Sequence, residues 1–279
     1  MYRGRTLSLS FPPFTPWVKR IIVVCSAIYA LGLLLGLLSP SAYNEILLRY
    51  FTLVPGLVIQ RGMIWQLVTY SLLHYGLWHL VLNMLTLWMF GAQEEMDWGS
   101  RRFIEFYLFC VVGAALVTIV VAYLHLGMTP ATATLGASGG VYGVLAAFGV
   151  LYGDREVFLF PFPISMKAKY LVLIIVFFVV IATLQPSQGG VANFAHLGGL
   201  AFGFAYAKFL PKRGLMFGAS EKYFSFRNSY YRWKRRRAAR KFEVYMRDRN
   251  QSVHFDEHGN YVPPEDDKKN GGSKSGWVN

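Results

Sequence analysis

The sequence predicts an all-α membrane protein, a bundle of six membrane-spanning helices followed by a basic cytoplasmic C-terminal tail. Three observations predict it. The chain is 54% hydrophobic and only 15% charged, against about 45–50% and about 25% in an ordinary soluble domain. Its charge is unevenly placed: of the net +13, residues 1–210 carry +5 and residues 211–279 carry +8. Apolar runs of membrane length also recur, separated by polar or glycine-rich breaks. With 12 basic and 7 acidic residues, positions 1–210 cannot clothe a water-soluble domain of that size. These features exclude a disordered chain, argue against a cytosolic enzyme, and remove the nucleic-acid reading that the net charge alone invites.

The elements follow in order. Residues 1–17 form a basic cytoplasmic N-terminus. Span 1, Val18–Leu38, follows the Lys19-Arg20 entry and has the roughly 20 residues a bilayer needs. It is long for a signal peptide and has no persuasive small-residue cleavage site. The outer loop 39–76 is long and partly apolar, with Trp65 in it, and is expected to form helices of its own in the outer leaflet. Span 3 is Phe103–Leu124, span 5 Lys169–Leu184 and span 6 Ala192–Leu210. Spans 2 and 4, Leu77–Gly91 and Ser138–Tyr152, have 15 residues each, about 22 Å of helix. Their polar first turns point to helices that begin below the membrane surface, in a wet cavity. The outer loops Gly127–Leu135 and Gln185–Val191 carry no charge.

Ten of the twelve basic residues in positions 1–210 fall on one side of this layout, which places both termini in the cytoplasm. Only Arg49 and Arg61 lie on the other. In the tail, residues 211–279, the segment Arg232–Lys241 carries seven basic residues in ten, beside Tyr230, Tyr231 and Trp233. The expected partner is the anionic lipid surface, at about 1 kcal/mol per nearby basic residue. RNA binding and a protein-docking helix are the alternatives, and no nucleic acid is expected. Glu265 to Asn279 reads as disordered. Cys25 and Cys110 lie in apolar runs and read as buried thiols rather than a disulfide framework.

Polar residues within spans are costly and mark functional sites by default. Here His79 and Asn83 open span 2, Ser138 opens span 4, and Asn193 and His196 open span 6. Even-numbered spans run from outside to inside, so all five share one depth just below the outer surface. Their chemistry is complementary. Ser138, in Gly136-Ala137-Ser138-Gly139-Gly140, sits at a helix N-terminus whose free N–H groups can receive an oxyanion. His196 can take the serine proton as general base. His79 and Asn83, four apart, project from one helix face toward developing charge. No Asp or Glu lies in that layer, so a Ser-His pair is expected rather than a triad. Tyr142, one turn beyond Ser138, is placed to stack on the imidazole. Zinc-type His-Glu-x-x-His, aspartyl Gly-x-Gly-Asp and phosphate-loop motifs are missing, so no metal and no cofactor are expected.

These residues resemble the rhomboid family of intramembrane serine proteases. The likeness covers about Trp65 to Gly203, half of the chain. His74-Tyr75-Gly76-Leu77-Trp78-His79-Leu80-Val81-Leu82-Asn83 is similar to the family's histidine-and-asparagine segment, and Gly91…Glu95…Gly99-Ser100…Phe103 to its junction between spans 2 and 3. Gly136-Ala137-Ser138-Gly139 resembles the nucleophile motif, and Ala195-His196-Leu197-Gly198-Gly199…Gly203 the last span. The resemblance implies a six-span fold without a seventh span. It implies Ser138 as nucleophile, His196 as base, and His79, Asn83 and the Ser138 N–H as oxyanion hole. It also implies Tyr142 as the stacking aromatic, Asn193 as a site-lining residue, and Gly199 and Gly203 as close-packing points. Glu95 is expected to tie the cytoplasmic junction together. Trp65-Gln66 stands where some members have Trp-Arg, which leaves a structural hydrogen-bonding role for that position.

The implied activity is endopeptidase cleavage of membrane-protein substrates in or next to their spans, with entry gated by span 5 through Phe177 and Phe178. The alternative is a rhomboid-like pseudoenzyme that guides clients without cutting. A carrier is disfavoured because the inner halves of spans 2, 4 and 6 offer few polar groups. The expected location is a multi-pass protein of a bacterial plasma membrane, its active site open to the outer side.

Overall fold

The computed structural model describes residues 12–158, 165–184, 190–209 and 215–262. The chain divides into two compact units, Met1–Leu215 and Met216–Asn279. Residues 185–189 of the last outer loop and the predicted disordered segment Glu265–Asn279 lie outside the described residues.

The first unit is helical. Helix α1 is Pro16–Leu38. Proline at the first turn suits a helix start, since its missing N–H would have had no intrahelical partner. Val18, Ile21, Cys25 and Gly32 are its buried residues and share one stripe. Most of its other large apolar side chains face outward. The first loop does form helices of its own. They are α2 (Pro40–Ala42), a π-helical turn (Tyr43–Leu48), α3 (Arg49–Phe51), α4 (Pro55–Arg61), α5 (Gln66–Thr69) and a 3-10 turn (Tyr70–Leu72). The loop is stitched to the loop between α8 and α9 by paired Leu53–Thr134 backbone hydrogen bonds and by the Gly56 N–H to the Pro130 carbonyl.

Helix α6 (Leu77–Thr86) does not stop at Gly91, where hydropathy placed the end of span 2. It passes through a π turn (Leu87–Gly91) into α7 (Ala92–Trp98). Gly99, at φ +80°, ends it. Hydropathy marks where a helix leaves the apolar layer, and this one continues as a polar helix beyond it. Glu95 there accepts from the Trp17 and Val18 N–H groups at 2.9–3.0 Å and from Ser100 Oγ at 2.6 Å. It thus caps the N-terminus of α1, where the helix dipole also favours a carboxylate. Burial works against its charge, but these hydrogen bonds prevail and hold its pKa below the usual glutamate value.

Helix α8 (Ser100–Tyr123), α9 (Ser138–Leu151), α10 (Ala168–Leu184) and α11 (Gly190–Phe209) complete the unit, with a short hairpin β1 (Glu156–Phe158) and β2 (Ser165–Lys167) between α9 and α10. Among the described residues, α1 and α8 are long and apolar enough to cross a membrane by themselves, while α9 and α10 are apolar but shorter. α9 is the central element, buried along most of its length. It reaches its neighbours through glycines. A Cβ on Gly140 would lie 2.6 Å from the Tyr107 ring, and one on Gly143 2.5 Å from Cys110.

In the second unit, α12 (Leu215–Arg247) carries the basic run, and β3 (His254–Phe255) pairs antiparallel with β4 (Tyr261–Val262). The hairpin folds back on the helix: Phe255 meets Phe242 edge-on at 6.1 Å, and Gly259 lies against the Arg235–Arg236 backbone. The sequence reading had placed only a basic appendage here.

Candidate active site

Ser138 is the first residue of α9, with Ala137 as N-cap. The first turn of a helix has N–H groups without intrahelical partners, so the hydroxyl sits beside free donors. The approach to it is set by Gly136, whose φ of +129° is open to glycine but not to L side chains. Gly136 donates its N–H to the Tyr70 carbonyl at 2.9 Å. Its bare face also meets the His79 ring: a Cβ there would stand 2.8 Å from His79 Cε1 and 3.5 Å from Ser138 Oγ.

His196 lies on α11, with Nε2 2.8 Å from Ser138 Oγ. The Tyr142 ring stacks on the imidazole, centroids 4.3 Å apart and planes 22° from parallel. The ring is therefore oriented by an aromatic face, in place of a carboxylate. Asn83 and His79 lie on α6, one turn apart; Asn83 Nδ2 donates to the His79 carbonyl at 2.7 Å. Ser138, His196, His79, Asn83 and Tyr142 all line one cavity of about 410 Å³. Apart from Thr86 its remaining walls are apolar and come from α6, the π turn after it, α9 and α10, among them Leu85, Met89, Leu171 and Ile175. A serine hydroxyl held against an imidazole in such a cavity is the pairing nucleophilic catalysis needs.

Asn193 is half-buried one turn before His196 but is not part of the cavity lining. One support was not foreseen. Tyr70 fixes Gly136 through its carbonyl and donates its own hydroxyl to the Val111 carbonyl at 2.8 Å. Gln66 is fully buried; it accepts from the Val54 N–H at 3.0 Å and donates to the Arg49 and Tyr50 carbonyls at 3.1 and 3.3 Å. The Trp65-Gln66 departure from Trp-Arg thus fills a structural hydrogen-bonding role. Among the described residues no cluster of His, Cys, Asp and Glu is arranged to hold a metal ion.

The fold and site define a helical membrane protein with a serine and a histidine hydrogen-bonded in an apolar cavity. The chain belongs to the rhomboid family: the Rhomboid domain matches residues 61–213, more than half its length. Over 160 residues it is 34% identical to Rhomboid protease GluP of Bacillus subtilis, a stretch covering 56% of this chain and 28% of that protein. It is 31% identical to Rhomboid protein 1, mitochondrial, of Saccharomyces cerevisiae, over 50% of this chain and 40% of that one. It is 28% identical to Rhomboid protease AarA of Providencia stuartii, over 50% and 53%. The chain thus spans about half or less of the length of these relatives.

Proposed function

We propose that this protein is an intramembrane serine endopeptidase that cleaves other membrane proteins within or next to their spans. The observation that carries the reading is the 2.8 Å contact between His196 Nε2 and Ser138 Oγ at the head of α9. For it to act, the imidazole proton sits on Nδ1 and Nε2 accepts. His196 takes the hydroxyl proton as Oγ attacks the scissile carbonyl. The oxyanion lies against the Ser138 N–H, with His79 and Asn83 as further donors. The protonated imidazole then gives its proton to the leaving amine, and water, activated by the same base, hydrolyses the acyl-enzyme. Asn83 Nδ2 has a second N–H besides the one it gives to the His79 carbonyl.

The six-span layout expected from the sequence belongs to this proposal. α6 with its extension, α9 and α11 run from the outer side inward, so the site opens outward and both termini are cytoplasmic. Substrates enter between α6 and α10, the two elements that flank the cavity, with α10 as the gate. An intact helix hides its carbonyls, so preferred substrates have helix-destabilising residues near the cut. The basic run of α12 binds anionic headgroups.

The test is incubation of the purified full chain with a single-span model substrate in detergent. Wild type cuts it, and Ser138→Ala and His196→Ala fall to background, a loss of at least about 10³-fold. The double variant is no worse than either single one, because the pair acts as a unit. Unchanged cleavage by Ser138→Ala overturns the serine mechanism. No cleavage by wild type across several substrates overturns the enzyme in favour of a client-binding pseudoenzyme.

A further inference from the structure

A second cavity, also of about 410 Å³, lies between the C-terminal half of α1 and the first loop. Tyr29, Gly32, Leu33 and Leu37 of α1 line it, with Tyr43 of the loop and His74. No Asp, Glu, Lys or Arg is in the lining. His74 is 6% exposed, and neither of its ring nitrogens has a hydrogen-bond partner of acceptable geometry among the described residues, although the Leu72 carbonyl lies beside the ring. A buried imidazole left this way is costly, and buried polar groups are ordinarily satisfied. The catalytic reading does not use this residue.

We propose that the cavity holds one acyl chain of a bilayer phospholipid, whose ester carbonyl accepts a hydrogen bond from His74 once the imidazole, whose two nitrogens are now closed off, turns toward it. Three features choose this occupant. The cavity opens onto the lipid-facing side, since Leu33 and Leu37 line it and are also 54% and 84% exposed. Its length fits one leaflet: Ile28 to Leu37 along α1 rises about 13.5 Å, half of a hydrocarbon core of about 30 Å. Its chemistry fits an ester and not an ion, because an apolar wall without a cation has nothing to neutralise a fatty-acid carboxylate. The headgroup stays outside, at the interface. The inference rests on the membrane placement of α1 and not on proteolysis, so binding is the readout and cleavage is not.

The full chain is reconstituted in phosphatidylcholine vesicles containing a little phosphatidylcholine with a diazirine in one acyl chain. After irradiation, adducts are mapped by mass spectrometry. Adducts concentrate on residues 28–48 and exceed those on the lipid-exposed Phe177 and Phe178. Gly32→Leu fills the cavity; its Cβ meets Tyr43 and Leu47 only at ordinary contact distances of 3.5 and 3.6 Å. It lowers the 28–48 adducts by at least about fivefold, near 1 kcal/mol of binding. Gly36→Leu, whose Cβ is 4.0 Å from Tyr43, does the same and serves should Gly32→Leu fold poorly. His74→Phe keeps the bulk and removes the donor, and it also weakens labelling. The proposal is overturned by equal labelling in both glycine variants, by labelling at residues 28–48 no higher than at Phe177 and Phe178, or by unchanged labelling in His74→Phe. Displacement of the label by a small excess of free fatty acid would overturn the phospholipid as the source.

Discussion

Gly199 on α11 faces Gly139 on α9 so closely that a Cβ on Gly199 would stand 2.0 Å from the Gly139 carbonyl oxygen. One turn further on, Gly203 repeats the contact, its Cβ position 2.2 Å from the Gly143 carbonyl oxygen. Helices in lipid have no hydrophobic force between them, and there such backbone proximity is what holds two of them together. It also sets the Ser138–His196 distance, because His196 lies one turn before Gly199 on α11 and Ser138 directly precedes Gly139 on α9. Gly199→Ala therefore pushes the helices apart, costs about 1–3 kcal/mol or more, and removes cleavage. Gly76→Ala is the control: nothing lies within 4 Å of its Cβ position, and its φ of −159° suits any residue. Melting temperature and cleavage of both variants check this; a fully active Gly199→Ala would sink the argument.

This relationship was legible in the sequence because small residues recur on α11 at one-turn spacing. Ser138, His196, His79 and Asn83 were legible for a different reason: they are rare polar residues at the outer ends of apolar runs. Asn193 was grouped with them by depth, but three residues of helix turn it about 60° from His196, and it misses the cavity lining. Tyr70 was invisible, since it holds Gly136 through a backbone carbonyl, which every residue has. The continuation of the helix through α7 was not legible, because Glu94, Glu95 and Asp97 end the apolar run without ending the helix.

The oxyanion assignment separates kinetically from the dyad. Removing one donor typically costs about 10²–10³-fold in kcat. His79→Ala and Asn83→Ala should each lower kcat on a transmembrane substrate within that range, with KM little changed. Ser138 should still react with a fluorophosphonate probe in both variants, because neither residue deprotonates it. Steady-state kinetics with probe labelling make the check, and an unchanged kcat removes that residue from the oxyanion hole.

Gln66 predicts a stability effect away from the chemistry. Its amide satisfies one N–H and two carbonyls inside the first loop. Gln66→Leu has similar bulk but takes this partner from the Val54 N–H and the Arg49 carbonyl, at about 1–3 kcal/mol for each left unpaired, while the Tyr50 carbonyl keeps the Trp65 indole N–H. The variant should melt lower, and the 39–76 loop should become the first site of limited proteolysis. An unchanged cleavage pattern and melting point would show that water replaces the side chain.

Two adjacent glutamates should give opposite pH responses. Glu95, held below the usual value of 4.5, contributes stability that is present at neutral pH and lost as pH falls through its lowered folded pKa. Glu95→Gln should therefore cost about 1–3 kcal/mol at pH 7, and the difference should close in acid. Glu94 is fully buried, and neither carboxyl oxygen has a hydrogen-bond partner among the described residues. Burial raises its pKa well above 4.5, and nearby Asp97 adds to the rise. The folded state then favours the protonated acid, so full stability holds below 4.5 and declines as pH climbs toward the folded pKa. Glu94→Leu removes that cost and the unpaired polar group together. It should raise the melting temperature, with a gain that grows from pH 4.5 to 8. Thermal unfolding of wild type and both variants across that range tests the pair. A Glu94→Leu protein less stable than wild type at pH 7 would show that the carboxyl has a partner, such as a buried water, and that it serves the α7 end of the fold rather than straining it.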